Sequence, residues 1–128
     1  MELEKYKKIA ILFIITAIAL GALATHYLKE ILSNNQINSV ETGIRYQLFH
    51  GLALLFLTFN IEKFNSPLKK SLNLMTTGIC LFSFSIYLLN MQNILGISMS
   101  FLGPITPIGG ILLIIAWAIL FFSIKKAS

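Results

Sequence analysis

Most of the chemistry open to this chain is gathered in ten residues, Glu41-Thr42-Gly43-Ile44-Arg45-Tyr46-Gln47-Leu48-Phe49-His50. A carboxylate, a guanidinium, a phenol, a carboxamide and an imidazole fall there within about three turns of helix. His26, Tyr87, Asn90 and Thr106 add to the set from elsewhere in the sequence. An imidazole can relay protons or act as a base, and a guanidinium holds anions. Two His and a Glu are enough in number for a metal, but the fixed His-x-x-x-His spacing of a helical site is missing, so no metal is expected. There is no Asp, no Ser nucleophile motif and a single cysteine, Cys80, which excludes two-thiol redox chemistry. No cofactor is implied.

The elements that carry these groups are apolar. The 128 residues, room for one domain, are 56% hydrophobic and 12% charged, against about 25% charged in soluble proteins. A soluble fold of this size has nowhere to hide that much apolar surface. Four runs, 9–28, 44–61, 72–89 and 108–124, approach the ~20 residues a membrane helix needs. Since backbone in hydrocarbon must satisfy itself, all four are expected as helices. The expected fold is all-α: an integral membrane four-helix bundle in one membrane domain, residues 1–128. The first run ends near Ala22-Leu23-Ala24, a cleavage-like triplet, but is too long for a signal core and reads as a retained span.

Lysine placement sets the expected orientation. Lys5, Lys7, Lys8, Lys63, Lys69, Lys70, Lys125 and Lys126 fall on one side of this topology, with only Lys29 and Arg45 on the other. Both termini are therefore expected in the cytoplasm, in a multi-pass protein of the bacterial inner membrane. Lysines that flank spans in this way also speak against nucleic acid as a partner, despite the net charge of +5. Membrane lipid is the expected partner, with a homo-oligomer also open.

In the connections, Asn38 with Glu41 reads as a capping box that starts the second helix. Asn65-Ser66-Pro67 is a turn signal. The uncharged stretch 90–107 reads as an interfacial loop, stiffened by Pro104 and Pro107 before the last helix. Small and polar residues hold membrane helices together. The expected packing seams are Ala17, Gly21 and Thr25, with Ala10 and Ala24 near the same line, and Thr76, Cys80 and Ser83 leading to Tyr87 and Asn90.

Given this topology, the strongest polar groups, His26, Glu41, Arg45, Tyr46, Gln47, His50, Tyr87, Asn90 and Thr106, fall in the outer third of the membrane. Taken singly, most have a plain reading. Glu41 and Arg45 are an i,i+4 pair, Arg snorkels, and Tyr87 suits an aromatic belt. His50 is harder to dismiss, about 9 Å into its span from Ile44, where a polar group needs a partner. At 100° per residue it points away from Glu41 and Arg45. The second helix thus carries polar groups around most of its circumference, and is either central in the bundle or partly outside hydrocarbon.

Four blocks resemble a family of small bacterial inner-membrane proteins of unknown function, typified by YgdD and YwdK, with eukaryotic relatives. They are Gly21-Ala22-Leu23-Ala24-Thr25-His26, the stretch Glu41 to His50, Leu81-Phe82-Ser83-Phe84-Ser85-Ile86-Tyr87-Leu88-Leu89, and Leu102-Gly103-Pro104-Ile105-Thr106-Pro107-Ile108-Gly109-Gly110 with Trp117. Ala24 and Phe84 stand where the family has glycine or another small residue. The resemblance implies a four-helix membrane fold and brings no activity. Three classes of function remain. The sequence favours a non-enzymatic protein whose outer polar site binds a lipid, quinone or small amphiphile. The others are a small transporter, channel or proton-conducting oligomer, and an outer-leaflet enzyme with His50 as base. If the polar groups only pair with one another, they are structural.

Overall fold

The computed structural model describes residues 2–127 of the chain. Four long helices run through it: α1 (Glu2–Ile31), α2 (Asn34–Phe59), α3 (Leu68–Leu95) and α4 (Ser100–Ser123). The fold is all-helical. By length and composition α1, α3 and α4 can each cross a membrane. α2 falls short of that measure because Arg45, Gln47 and His50 interrupt its apolar run.

The helices are longer than the apolar runs that announce them, and the expected loops shrink. The 29–43 loop is almost entirely helical, broken only around Leu32 and Ser33. The helix-two cap is one motif upstream of the expected Asn38–Glu41 box. Ser33 accepts from the Gln36 backbone N–H, and the Gln36 side chain accepts from the Ser33 N–H. Asn38 is already inside the helix, where its carbonyl accepts from Thr42. The 90–107 loop shrinks similarly. α3 continues to Leu95 and stops at Gly96, whose φ of 68° is the left-handed cap that glycine adopts without strain. Ile105 opens the regular part of α4, so Pro107 lies in its first turn, where the missing N–H has no intrahelical partner to lose.

α1 packs on α2, α3 on α4, and α2 also on α3. Two close approaches explain why. At Gly51 on α2 an added Cβ would lie 3.3 Å from the Ala10 carbonyl of α1. At Gly109 on α4 it would lie 2.4 Å from the Phe82 backbone nitrogen of α3, so the two backbones meet there. Ser71 adds a buried bond across the second pair, donating to the Ala116 carbonyl at 2.7 Å. Ala10, Phe13, Leu54, Leu72, Met75 and Ile79 fill the middle of the core.

Both α1 and α3 contain a π-turn, at Ala24–Leu28 and Cys80–Phe84. Each inserts a wider turn that rotates the face beyond it. On α1 the buried line runs Ala10, Phe13, Ala17, Ala24, Leu28, while Gly21 is half-buried and Thr25 exposed, bonded to the Gly21 carbonyl. On α3 the buried residues are Leu68, Ser71, Leu72, Met75, Gly78, Ile79, Ser83 and Ser85, with Thr76 and Cys80 half-buried beside them.

At the lysine-rich end, the helix ends are tied by polar contacts. Tyr6 donates to Asn73, and Glu2 pairs with Lys69. An antiparallel β-bridge joins Phe64 to Ile124, through Asn65 N–H to the Ser123 carbonyl at 2.7 Å and Lys125 N–H to the Lys63 carbonyl at 3.0 Å.

Candidate functional site

α2 packs on both α1 and α3, and its polar residues go in three directions. Gln47 faces α1 and α3 and is completely buried. Its Nε2 donates to the Phe13 carbonyl at 2.9 Å and to Thr16 Oγ1 at 2.6 Å, and its Oε1 accepts from the Tyr87 hydroxyl at 2.8 Å. Thr16 in turn donates to the Leu12 carbonyl at 2.8 Å. One turn away, Ser83 donates to the Gly43 carbonyl at 2.8 Å, and Tyr87 lies flush on Gly43, where a Cβ would come within 2.7 Å of the ring. The three helices are thus clasped by a network whose every member is satisfied, as buried polar groups require.

His50 faces α4. Its Nδ1 lies 2.8 Å from the Tyr46 carbonyl, and the Trp117 indole N–H donates to its Nε2 at 2.9 Å. An indole nitrogen can only donate, so Nε2 accepts and Nδ1 carries the proton. His50 is therefore a neutral bridge with both nitrogens engaged. Its ring is stacked on Tyr46 and edge-on to Trp117, and Tyr46 in turn leans on Phe82.

Around this aromatic group α2 and α4 stand apart. A cavity of about 290 Å³ opens between them, lined by Tyr46, His50, Phe82, Gly110, Leu113 and Trp117. On the other side of Trp117, toward the lysine-rich end, a groove of about 450 Å³ continues between the same helices. Phe49, Ala53, Phe64, Leu120 and Ile124 are among its walls. Gly110 offers room: a Cβ there would meet only the Phe82 ring at 3.8 Å, an ordinary contact.

The remaining sequence-derived candidates lie elsewhere. Glu41 and His26 are exposed. Arg45 is exposed too, and its guanidinium donates to Thr42 at 3.3 Å, its own i−3 neighbour, in place of the expected ion pair with Glu41. Asn90 donates to the Ile86 carbonyl of its own helix. Thr106 and Ser85 share a hydrogen bond of 2.6 Å that fastens α4 to α3. His26, Arg45, His50 and Tyr87 are thus not gathered into one pocket: Tyr87 belongs to the Gln47 clasp, His50 to the α2–α4 side. Among the described residues no cluster of His, Cys, Asp or Glu could hold a metal. Trp117 and Ser71 were not singled out as candidates. The signals for Trp117 are its place with the fourth block of the family resemblance and its position in the middle of an apolar run, away from the interface where tryptophans collect.

These features define a small helical membrane protein with a sealed polar clasp and an aromatic cavity between α2 and α4. Residues 20–110 match the family model described as "Protein of unknown function (DUF423)". The chain is 33% identical over 124 residues to a UPF0382 membrane protein of Haemophilus influenzae, covering 97% of this chain and 96% of that one. It is likewise 33% identical over 112 residues to the UPF0382 membrane protein YwdK of Bacillus subtilis, covering 86% and 87%. A UPF0382 membrane protein of the yeast Schizosaccharomyces pombe is 32% identical over 107 residues, covering 80% and 86%. The chain belongs to this family of membrane proteins of unknown function. No solved structure matches it.

Proposed function

We propose that this protein is a non-enzymatic, four-span bundle of the cytoplasmic membrane, with both termini inside, that binds a small amphiphile between α2 and α4. The observation that carries the reading is the aromatic cavity bridged by His50 and Trp117. At about 290 Å³ it sits at the lower edge of the ~300–1,000 Å³ of small-molecule sites. It therefore accommodates part of a ligand, the rest lying in lipid. Phe82, Leu113 and Trp117 offer apolar walls, and the Tyr46 hydroxyl, which has no hydrogen-bond partner among the described residues, offers a polar contact.

Two further points favour binding over catalysis or conduction through one subunit. His50, the natural base, spends both nitrogens on the Tyr46 carbonyl and the Trp117 indole. Below the clasp, Leu54, Leu72, Met75 and Ile79 occupy the interior where a polar path would run. The lysine-rich end supports the orientation, since positive charge marks the cytoplasmic side.

Native mass spectrometry of the gently purified protein beside Gly110→Leu and Tyr46→Phe tests the proposal. Gly110→Leu fills the cavity without touching backbone. A discrete small-molecule adduct, lost in Gly110→Leu and weakened in Tyr46→Phe, is expected. An adduct unaffected by filling the cavity, or a protein that is bare in every form, counts against it.

A further inference from the structure

The lysine-rich mouth of the second groove is built by the β-bridge. Phe64 and Ile124, the bridged pair, both line the groove. On each segment a lysine is the bridged residue's neighbour on the side where the two chains share a main-chain bond. Those residues are Lys63 and Lys125, directly opposite one another and joined by the 3.0 Å main-chain bond. Both are exposed, and among the described residues neither forms an ion pair. Two like charges held opposite each other are destabilising unless something neutralises them. An anion lodged between them does so, and the apolar groove of about 450 Å³ that begins beneath Phe64 and Ile124 accepts the chain attached to it.

We infer that Lys63 and Lys125 form the head-group seat of a site for an anionic phospholipid of the leaflet at the lysine-rich end. One acyl chain of this lipid lies in the α2–α4 groove and ends at Trp117. This site is distinct from the aromatic cavity beyond Trp117, and its occupant approaches from the opposite leaflet. Two observations argue for a lipid. The charged seat and the apolar groove meet at a single pair of residues, Phe64 and Ile124. The groove walls, Phe49, Ala53 and Leu120 among them, offer contacts to hydrocarbon along its length. The bridge also explains why the chain after α4 is fastened to the α2–α3 connection at all.

Trp117 is the one tryptophan of the chain and stands between the groove and the aromatic cavity, so its fluorescence reports lipid in either, and the groove-filling Ala53→Phe isolates the share of the groove. The protein is reconstituted in neutral phosphatidylcholine vesicles containing a small fraction of brominated lipid, either phosphatidylglycerol or phosphatidylcholine. Expected is half-maximal quenching of Trp117 by the anionic lipid at a mole fraction on the order of thirtyfold lower, the factor that two surface lysines at about 1 kcal/mol each supply. Lys63→Gln with Lys125→Gln abolishes that preference. The charge-matched control, Lys5→Gln with Lys8→Gln on α1, retains it, which separates a seat from general attraction to a basic surface. Ala53→Phe, which fills the groove, reduces quenching by both lipids. Equal quenching by the two head groups, a preference that survives Lys63→Gln/Lys125→Gln, or one lost equally in the α1 control overturns the inference. None of these outcomes bears on the Gly110→Leu result, which judges the aromatic cavity.

Discussion

The two sides of α2 treat polar residues in opposite ways. Toward α1 and α3, Gln47 is sealed, and each of its polar atoms is paired across a helix interface. Toward α4, only three residues further along, His50 reaches a half-exposed Trp117 across a gap. The difference lies in the glycines. Gly43 and Gly51 let α3 and α1 come close to α2, whereas α4 spends its tight glycine, Gly109, on α3 and leaves Gly110 facing the cavity. A polar residue in a membrane helix therefore becomes structural glue where backbones meet, and a candidate contact where they part.

The adjacent glycines give the largest predicted contrast. Gly109→Leu should cost more than about 3 kcal/mol, because its side chain collides with the backbone of α3 rather than with a movable side chain. Gly110→Leu should stay within about 1 kcal/mol of the parent, read as thermal unfolding in mild detergent. If both unfold alike, the open side is not open.

Next comes the clasp. Gln47→Leu leaves the Tyr87 hydroxyl without its partner and should cost about 1–2 kcal/mol. Adding Tyr87→Phe should cost much less than Tyr87→Phe alone. A double-mutant cycle in denaturant checks this, and simple additivity would mean the two do not act together.

On the open side the effects shrink. His50→Leu should cost about 1 kcal/mol or less, since the Trp117 N–H it abandons is half-exposed and interhelical bonds in membranes average about 0.6 kcal/mol. Its clearer signature is a shift in Trp117 emission. Smallest of all, Tyr46→Phe should leave stability within about 0.5 kcal/mol while weakening any bound adduct. A stability loss from Tyr46→Phe as large as that from Gln47→Leu would erase the distinction between the two sides.

Much of this was legible in the sequence. The four apolar runs announce four helices, the start of Gln47's helix is rich in polar groups, and the 100° rule separates His50 from Arg45. What stayed hidden has physical causes. Helix ends were missed because charged and polar residues such as Lys5 and Asn34 continue a helix as well as lysine-free apolar ones, once ends are capped and paired. Two capping-box patterns, Ser33-x-x-Gln36 and Asn38-x-x-Glu41, occur five residues apart, and only the chain's tertiary path selects the first. The seams drifted because a π-turn shifts the phase beyond it, moving Thr25 outward and Ala24 inward. That Gln47 is buried while Arg45 is exposed depends on which neighbour each one meets, and no local rule supplies that. The Phe64–Ile124 bridge joins two segments that read separately as a loop and a tail.

The most direct test of the two-sided account is proton NMR of the isotopically labelled protein in lipid nanodiscs, reading cross-relaxation from acyl chains to two side-chain signals. The account predicts strong transfer to the Trp117 indole N–H, and none to the Gln47 carboxamide beyond what its protein neighbours relay. Comparable transfer to both, or transfer to Gln47 alone, would contradict it.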